Sequence, residues 1–261
     1  MEDLRSSIKE AVEFVQDSYD GTYFLGFSGG KDSIVVQHLV KKSGVPYEAY
    51  YSCTTIDPPE VTRFIRQYYP DVIWLYPRKS FIKLIGPKNP PLRSCRWCCE
   101  ELKKKPSWKH PLRHRIMGIR HEESPRRSRY PKINQFEKLG ITMYYPIIEW
   151  KEWMIWEYIE RFKLPYPSLY DKGFDRLGCI VCCYHTSKQH EMYRERWPGL
   201  FKAFEHAVHR WYDKRKGQEK DLANPSAAAF LEDWYKGKAS WYQKPEKQEE
   251  ANVCANDQRP V

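Results

Sequence analysis

Residues Phe24 to Ser33 read Phe-Leu-Gly-Phe-Ser-Gly-Gly-Lys-Asp-Ser, an apolar strand entering a glycine turn with a lysine, an acid and hydroxyls at its exit. Those residue types at that spacing hold phosphate. Gly29 and Gly30 can take positive φ and bring the backbone close to an anion, so that successive N–H groups point inward as a nest. The helix expected to start near Asp32 adds the positive end of its dipole, and Lys31 adds a full charge. Ser28 and Ser33 offer hydroxyls, and Asp32 offers a carboxylate for a magnesium ion bridging phosphate oxygens. A Walker A loop would need glycine at position 25 and Ser or Thr at position 32. Leu25 and Asp32 stand there instead, which excludes an ordinary kinase-type phosphate loop.

Cysteine is the second chemical signal. Of the eight cysteines, six fall in two clusters: Cys95, Cys98 and Cys99 in Ser-Cys-Arg-Trp-Cys-Cys-Glu, and Cys179, Cys182 and Cys183 in Gly-Cys-Ile-Val-Cys-Cys. Each cluster holds a C-x-x-C spacing, from which two thiolates can reach one metal across a tight turn. In a cytoplasmic chain this pattern favours metal binding over disulfides. Zinc and a 4Fe-4S cluster both take four thiolates, so ligand number does not separate them. The chosen ligands are Cys95, Cys98, Cys179 and Cys182, with Cys99 and Cys183 as substitutes.

The elements that must position these residues alternate. Leu4, Ile8, Val12 and Val15 predict an opening helix over 3–18. Strands are expected at 22–27, 47–51, 72–76, 115–119 and 142–146, and helices at 32–42, from Pro58 and Pro59 to about 69, and at 151–162. This alternation predicts a doubly wound, mostly parallel α/β sheet with its ligand at the carboxyl ends of the strands. Residues 188–211 and 226–235 read as helices with no strand between them. The expected organisation is a nucleotide-binding domain over 1–185, a helical region over 186–240 and a loose tail over 241–261. No apolar run approaches a membrane span and the first residues lack a leader pattern, which predicts a cytoplasmic protein without a membrane partner. A net charge of +10 over 261 residues favours a polyanionic partner.

The Ser-Gly-Gly-Lys-Asp-Ser loop resembles that of the adenine nucleotide alpha hydrolases, the PP-loop superfamily, which implies attack at the alpha phosphate with pyrophosphate leaving. Over roughly residues 20–185 the chain resembles the phosphoadenosine phosphosulfate reductase family. Thr54-Thr55-Ile56-Asp57 stands where that family has a segment whose backbone lies near the adenine, which places Thr55 and Asp57 at the nucleotide. Gly118-Ile-Arg120-His-Glu-Glu123-Ser124 is similar to the family's Gly-x-Arg-x-x-Glu-Ser stretch, which implies that Arg120 contacts phosphate and Glu123 orders the loop. Pro146-Ile-Ile-Glu-Trp150 and the run from Tyr170-Asp-Lys-Gly173 to Cys179 resemble two further family segments. Paired cysteines with a distant C-x-x-C are what the cluster-bearing members show, and this implies a 4Fe-4S cluster over zinc.

One departure redirects the expectation. The reductases resembled here attack the sulfonate with a cysteine in a Glu-Cys-Gly-Leu-His segment, and the late Cys254 has other flanks. A reductase needs that nucleophile. The chain is closer in character to the ATP pyrophosphatase component of DNA phosphorothioation systems and, more distantly, to cluster-bearing tRNA thiolases. These imply ATP and magnesium as ligands, DNA or RNA as the partner, and a cysteine desulfurase as sulfur donor. Basic residues from Lys103 to Arg115 and from Arg126 to Lys132, interspersed with Trp97, Trp108 and Tyr130, read as a nucleic-acid flank of the site. Catalysis is expected from Lys31, Asp32 and Arg120. A sulfonucleotide reductase releasing sulfite and a non-catalytic nucleotide sensor are the alternatives.

Overall fold

A computed structural model describes residues 4–108, 110–218 and 221–243. The chain forms two compact units, the first from Met1–Ser52, Pro59–Leu75 and Ser107–Leu177, the second from Cys53–Pro58, Tyr76–Pro106 and Gly178–Val261. Division at residue 185 follows chain order and does not describe these units. The cysteine-bearing stretches group with the C-terminal helices because they pack there, not with the phosphate loop that precedes them. Of the expected tail, residues 244–261 and Cys254 lie outside the described residues. Residues 241–243 are not loose: Gln243 N–H donates to Asp221 O, and Leu222 bridges Tyr242.

The first unit is built on a sheet of six described strands: β1 (Tyr23–Gly26), β2 (Tyr47–Ser52), β3 (Ile73–Leu75), β4 (His114–Met117), β5 (Ile133–Phe136) and β6 (Ile141–Tyr144). Their order is β3-β2-β1-β4-β6-β5, and every pair is parallel except the edge pair β5–β6. Strand β5 escaped the sequence reading because its Ile-Asn-Gln-Phe is polar and half-exposed, as an edge strand permits. The chain winds outward from β1 to β2 and β3 on one side, and β4 lies on the other. The crevice between the ends of β1 and β4 is therefore the topological switch point, where such sheets bind ligands.

Helices α1 (Leu4–Ser18), α2 (Lys31–Ser43), α3 (Pro59–Tyr68) and α7 (Glu152–Arg161) flank this sheet. Helix α2 buries Ile34, Val35, Val36, Leu39 and Val40. It stops at Gly44, whose φ of +75° turns its N–H back to Lys41 O.

The second unit carries α4 (Phe81–Lys88), α5 (Trp97–Cys99) running into a π-turn at Glu100–Lys104, then α8 (Ser187–Arg196), α9 (Pro198–Lys216) and α10 (Ala227–Tyr235). The short helix α6 (Lys105–Trp108) lies where the chain passes from this unit back to the first. The helix expected over 188–211 is two helices, because Pro198 cannot continue α8 and opens α9 at its first turn. Trp211, Trp234, Phe81, Phe201, Phe204 and Phe230 form the core, each with less than 2 % exposure. Four indoles converge on one turn: Trp97 Nε1 donates to Asn89 O, Trp211 Nε1 to Asn89 Oδ1, Trp241 Nε1 to Pro90 O and Trp234 Nε1 to Pro91 O. Among the described residues, no helix is long and apolar enough to cross a membrane.

Candidate functional site

The turn after β1 is tied together by its serines. Ser33 Oγ accepts from Ser28 N–H at 3.2 Å and donates to Gly30 O at 2.8 Å, while Ser28 Oγ accepts from Gly30 N–H at 3.3 Å. Gly29 takes φ +72°, and a Cβ there would lie 2.8 Å from the Ile65 side chain, so only glycine both makes the turn and lets α3 approach. Gly30 is extended (φ −85°) and caps α2, so the positive-φ expectation holds for one of the two glycines. Helix α2 begins at Lys31, which leaves its first N–H groups without intrahelical acceptors.

Lys31 is 3 % exposed. Its ammonium lies 3.1 Å from Glu152 Oε1, donates to Asp175 O at 3.0 Å, stands 4.0 Å from Asp32 Oδ2 and sits over the Tyr170 ring. Its backbone N–H donates to Tyr170 Oη at 3.0 Å. Glu152 was not singled out from sequence, and Tyr170 and Asp175 lay in a family-like run to which no contact with Lys31 was assigned. They reach Lys31 from more than a hundred residues away, and no spacing rule connects them.

Strand β4 delivers the second half. After it, Gly118 runs so close to α2 that a Cβ would stand 3.0 Å from the Asp32 carbonyl. This approach lets Arg120 Nε donate to Asp32 Oδ1 while Nη1 pairs with Glu122. Burial opposes the Arg120 charge, but the two carboxylates more than restore it, and its pKa is raised. Glu123 accepts from Arg120 N–H at 2.9 Å and pairs with Arg127, which fixes the loop. Ser28, Gly29, Gly30, Lys31, Asp32, Ser33, Gly118, Arg120 and Glu123 thus share one end of one sheet.

Thr55 and Asp57 belong to the second unit. Asp57 accepts from Thr54 N–H at 2.6 Å and from its hydroxyl at 2.7 Å. Thr55, at φ +65°, accepts at its hydroxyl from Phe81 N–H. Asp57 is committed to the Thr54 turn that precedes α3, and Thr55 to the start of α4.

In the same unit, Cys98, Cys99, Cys179, Cys182 and Cys183 are free thiols, whereas Cys95 is disulfide-bonded. The thiols form two hydrogen-bonded pairs, Cys98 with Cys99 and Cys182 with Cys183. The bond from Cys98 pulls Cys99 down to about 5, with help from Lys103 and Arg96, and the bond from Cys183 pulls Cys182 down to about 6. Cys98 and Cys183 move up in consequence, and burial takes Cys179 to about 11. Arg96 Nη2 reaches Cys99 Sγ at 3.4 Å, and the Lys103 ammonium is held charged chiefly by Cys179. Among the described residues no group of three His, Cys, Asp or Glu stands in metal-holding geometry. The donor chemistry fits a four-thiolate group all the same: the two clusters hold five free thiols, more than the four such a group takes, and Arg96 and Lys103 supply positive charge against its negative charge. Cys95 is not among these thiols.

The basic flank is partly corrected. Arg115 is 3 % exposed, donates to Ser107 and lies over the Phe24 ring, while Trp97 is buried with its indole engaged, so neither faces a polyanion. Lys132 is paired with Glu10 and Glu149. Arg113, Arg126 and Arg129 are exposed, and Lys109 lies outside the described residues.

Comparison with known proteins agrees with this geometry. The model of the phosphoadenosine phosphosulfate reductase domain matches residues 22–185. An uncharacterized protein of Methanocaldococcus jannaschii is 28 % identical over 79 % of this chain and 46 % of its own length, so the chain spans about half of that relative. An adenosine 5'-phosphosulfate reductase of Bacillus cereus is 25 % identical over 77 % of this chain and 90 % of its own. The phosphoadenylyl-sulfate reductase of Candida auris, solved with phosphate, shares the fold at TM-score 0.53 and 17 % identity, over 67 % of this chain and 93 % of that one. With its nucleotide loop at the switch point of a mostly parallel sheet, the chain belongs to the phosphoadenosine phosphosulfate reductase family of the PP-loop superfamily.

Proposed function

We propose that the chain is an ATP pyrophosphatase that activates a target by adenylation for sulfur transfer, in DNA phosphorothioate modification. One arrangement supports this reading most: a buried lysine, an Asp–Arg pair and the N-terminus of α2 all meet at one anion-binding turn. ATP binds there, with Lys31 and Arg120 neutralising phosphate charge and Asp32 offering its carboxylate to magnesium. A target oxygen, taken as a nucleic-acid phosphate, forms a bond to the alpha phosphorus as the bond to pyrophosphate breaks. The terminal sulfur of a persulfide delivered by a cysteine desulfurase then attacks the activated target and displaces adenylate. An external dithiol reduces the remaining S–S bond, leaving the target's sulfur and the carrier thiol.

Cys98, Cys99, Cys179 and Cys182 would hold a 4Fe-4S cluster, with Cys183 as the substitute. When bound, such a cluster supplies electron transfer and positive metal charge beside the thiols. Arg96 and Lys103 keep their charge next to it.

The similarity to Bacillus cereus adenosine 5'-phosphosulfate reductase over most of that protein favours a second reading, release of sulfite from a sulfonucleotide. Product analysis separates them. Incubation with ATP and magnesium should release pyrophosphate, and Lys31→Ala and Asp32→Ala should abolish that release. Sulfite from a sulfonucleotide with thioredoxin would decide for the reductase, and neither product would leave a nucleotide sensor. Iron analysis of anaerobically purified protein, with its visible absorbance, tests the cluster; colourless, iron-free protein of full activity would exclude it.

A further inference from the structure

Resting on the nucleotide reading above, we propose that the Tyr170 hydroxyl occupies the place on the phosphate loop that a phosphate oxygen takes, so that ligand must expel the strap running from Tyr166 to Asp175. Lys31 N–H belongs to the first turn of α2, whose donors lack helical acceptors and give such loops their affinity for anions. In this structure that donor is taken, 3.0 Å from Tyr170 Oη. The phenol oxygen lies close over the turn itself, 3.3 Å from where a Cβ on Gly30 would stand. The Lys31 ammonium is taken by the same strap, through Asp175 O at 3.0 Å, and it lies 5.3 Å from the centre of the Tyr170 ring. Two separate groups that the loop would present to phosphate are therefore met by residues 170 and 175 of one short segment.

The strap is shaped for that position. Tyr170 opens a 3-10 turn, Tyr170–Lys172, which closes at Gly173 with φ +82°. Its ring rests edge-on against Trp156 of α7 at 5.2 Å and near Tyr166 at 6.4 Å. These ring contacts, with the Lys31 ammonium over the ring, hold the phenol above the loop, and the occupant of the anion position is a neutral acceptor. A phosphate oxygen carries charge and accepts from the same N–H about twice as strongly. Exchange is thus favourable for a di- or triphosphate and unfavourable for a neutral ligand. Occupancy by Tyr170 makes the empty loop selective for polyphosphate at the cost of some affinity.

Titration calorimetry with inorganic pyrophosphate and with ATP tests this, comparing the full chain with Tyr170→Phe, which keeps the ring and loses the hydroxyl. The variant should bind about fivefold more tightly, the equivalent of one net hydrogen bond no longer displaced. In the unmodified protein, pyrophosphate should speed hydrogen exchange across residues 166–175. Equal affinity would show that the hydroxyl does not compete, and weaker affinity that it serves the ligand; either overturns the proposal while the nucleotide reading stands. Should the variant not fold, unchanged exchange in the strap overturns it alone. Absence of binding in both proteins removes the nucleotide reading and this proposal together.

Discussion

Glu152 Oε1 stands 3.1 Å from the ammonium of Lys31, a lysine whose side chain is 4 % exposed, at the point where the phosphate loop becomes helix. Glu152 itself is half-exposed at the first turn of α7, where the helix dipole favours a carboxylate. Lys31 is therefore charge-balanced before any ligand arrives, and a phosphate must compete with Glu152 for it.

Glu152→Gln removes the charge and keeps the shape. The variant should bind pyrophosphate several-fold more tightly, with little loss of stability, because a half-exposed carboxylate contributes little to folding. Isothermal titration of the two proteins at one ionic strength checks this. Equal or weaker binding would show that Glu152 does not compete with the ligand.

Gly118 is the second test of the site. A Cβ there would press on the Asp32 carbonyl at 3.0 Å and on Ser33 N at 3.1 Å, both backbone atoms of the helix start. Neither can swing away as a side-chain tip would. Gly118→Ala should cost about 1–3 kcal/mol by overpacking, and it should push the Arg120 loop away from Asp32. Pyrophosphate release should fall by more than the loss of folded protein accounts for. Full activity per folded molecule would separate Gly118 from the positioning of Arg120.

The site was legible in the sequence as far as it was local. Ser28 to Ser33 lie within one turn, and Gly118 with Arg120 and Glu123 within another, so spacing carried the information. Lys31 with Glu152, Tyr170 and Asp175 was not legible, because those contacts depend on which helix returns beside β1. The parallel strands announced themselves through their apolar and aromatic residues. β5 did not, since one polar edge strand carries no alternation. The second unit was misplaced for another reason: its stretches are separated in the chain and joined by tryptophan contacts at Asn89-Pro90-Pro91, and no local pattern reports a contact across 151 residues such as Trp241 with Pro90.

Asn89 tests that second core. Its Oδ1 accepts from Trp211 Nε1 at 2.8 Å and from Arg215 Nη2 at 3.0 Å, and its backbone sits at φ +61°. Asn89→Ala leaves a buried indole N–H unsatisfied, about 1–3 kcal/mol. Asn89→Asp keeps the acceptor and should retain more stability than the alanine variant. Urea denaturation followed by tryptophan fluorescence ranks the three proteins, and an alanine variant as stable as the aspartate variant would deny the hub its role.

His190 predicts how the same core responds to acid. The ring is 3 % exposed among His185, Phe201, Trp234 and Tyr235, and neither of its nitrogens has a hydrogen-bond partner. Burial, reinforced by His185, Arg194 and Arg93, pushes its pKa down to about 3. The unfolded chain takes up the proton near pH 6.5 and the folded chain does not. Between those values the unfolded state binds more protons, so stability falls as pH falls, by up to about 1.4 kcal/mol per pH unit from this residue. His190→Phe places an apolar ring in an apolar cage and removes that proton uptake. Its urea midpoint should decline less steeply than that of the unmodified protein between pH 6.5 and 4.5, and parallel slopes for the two proteins would show that the acid sensitivity arises elsewhere.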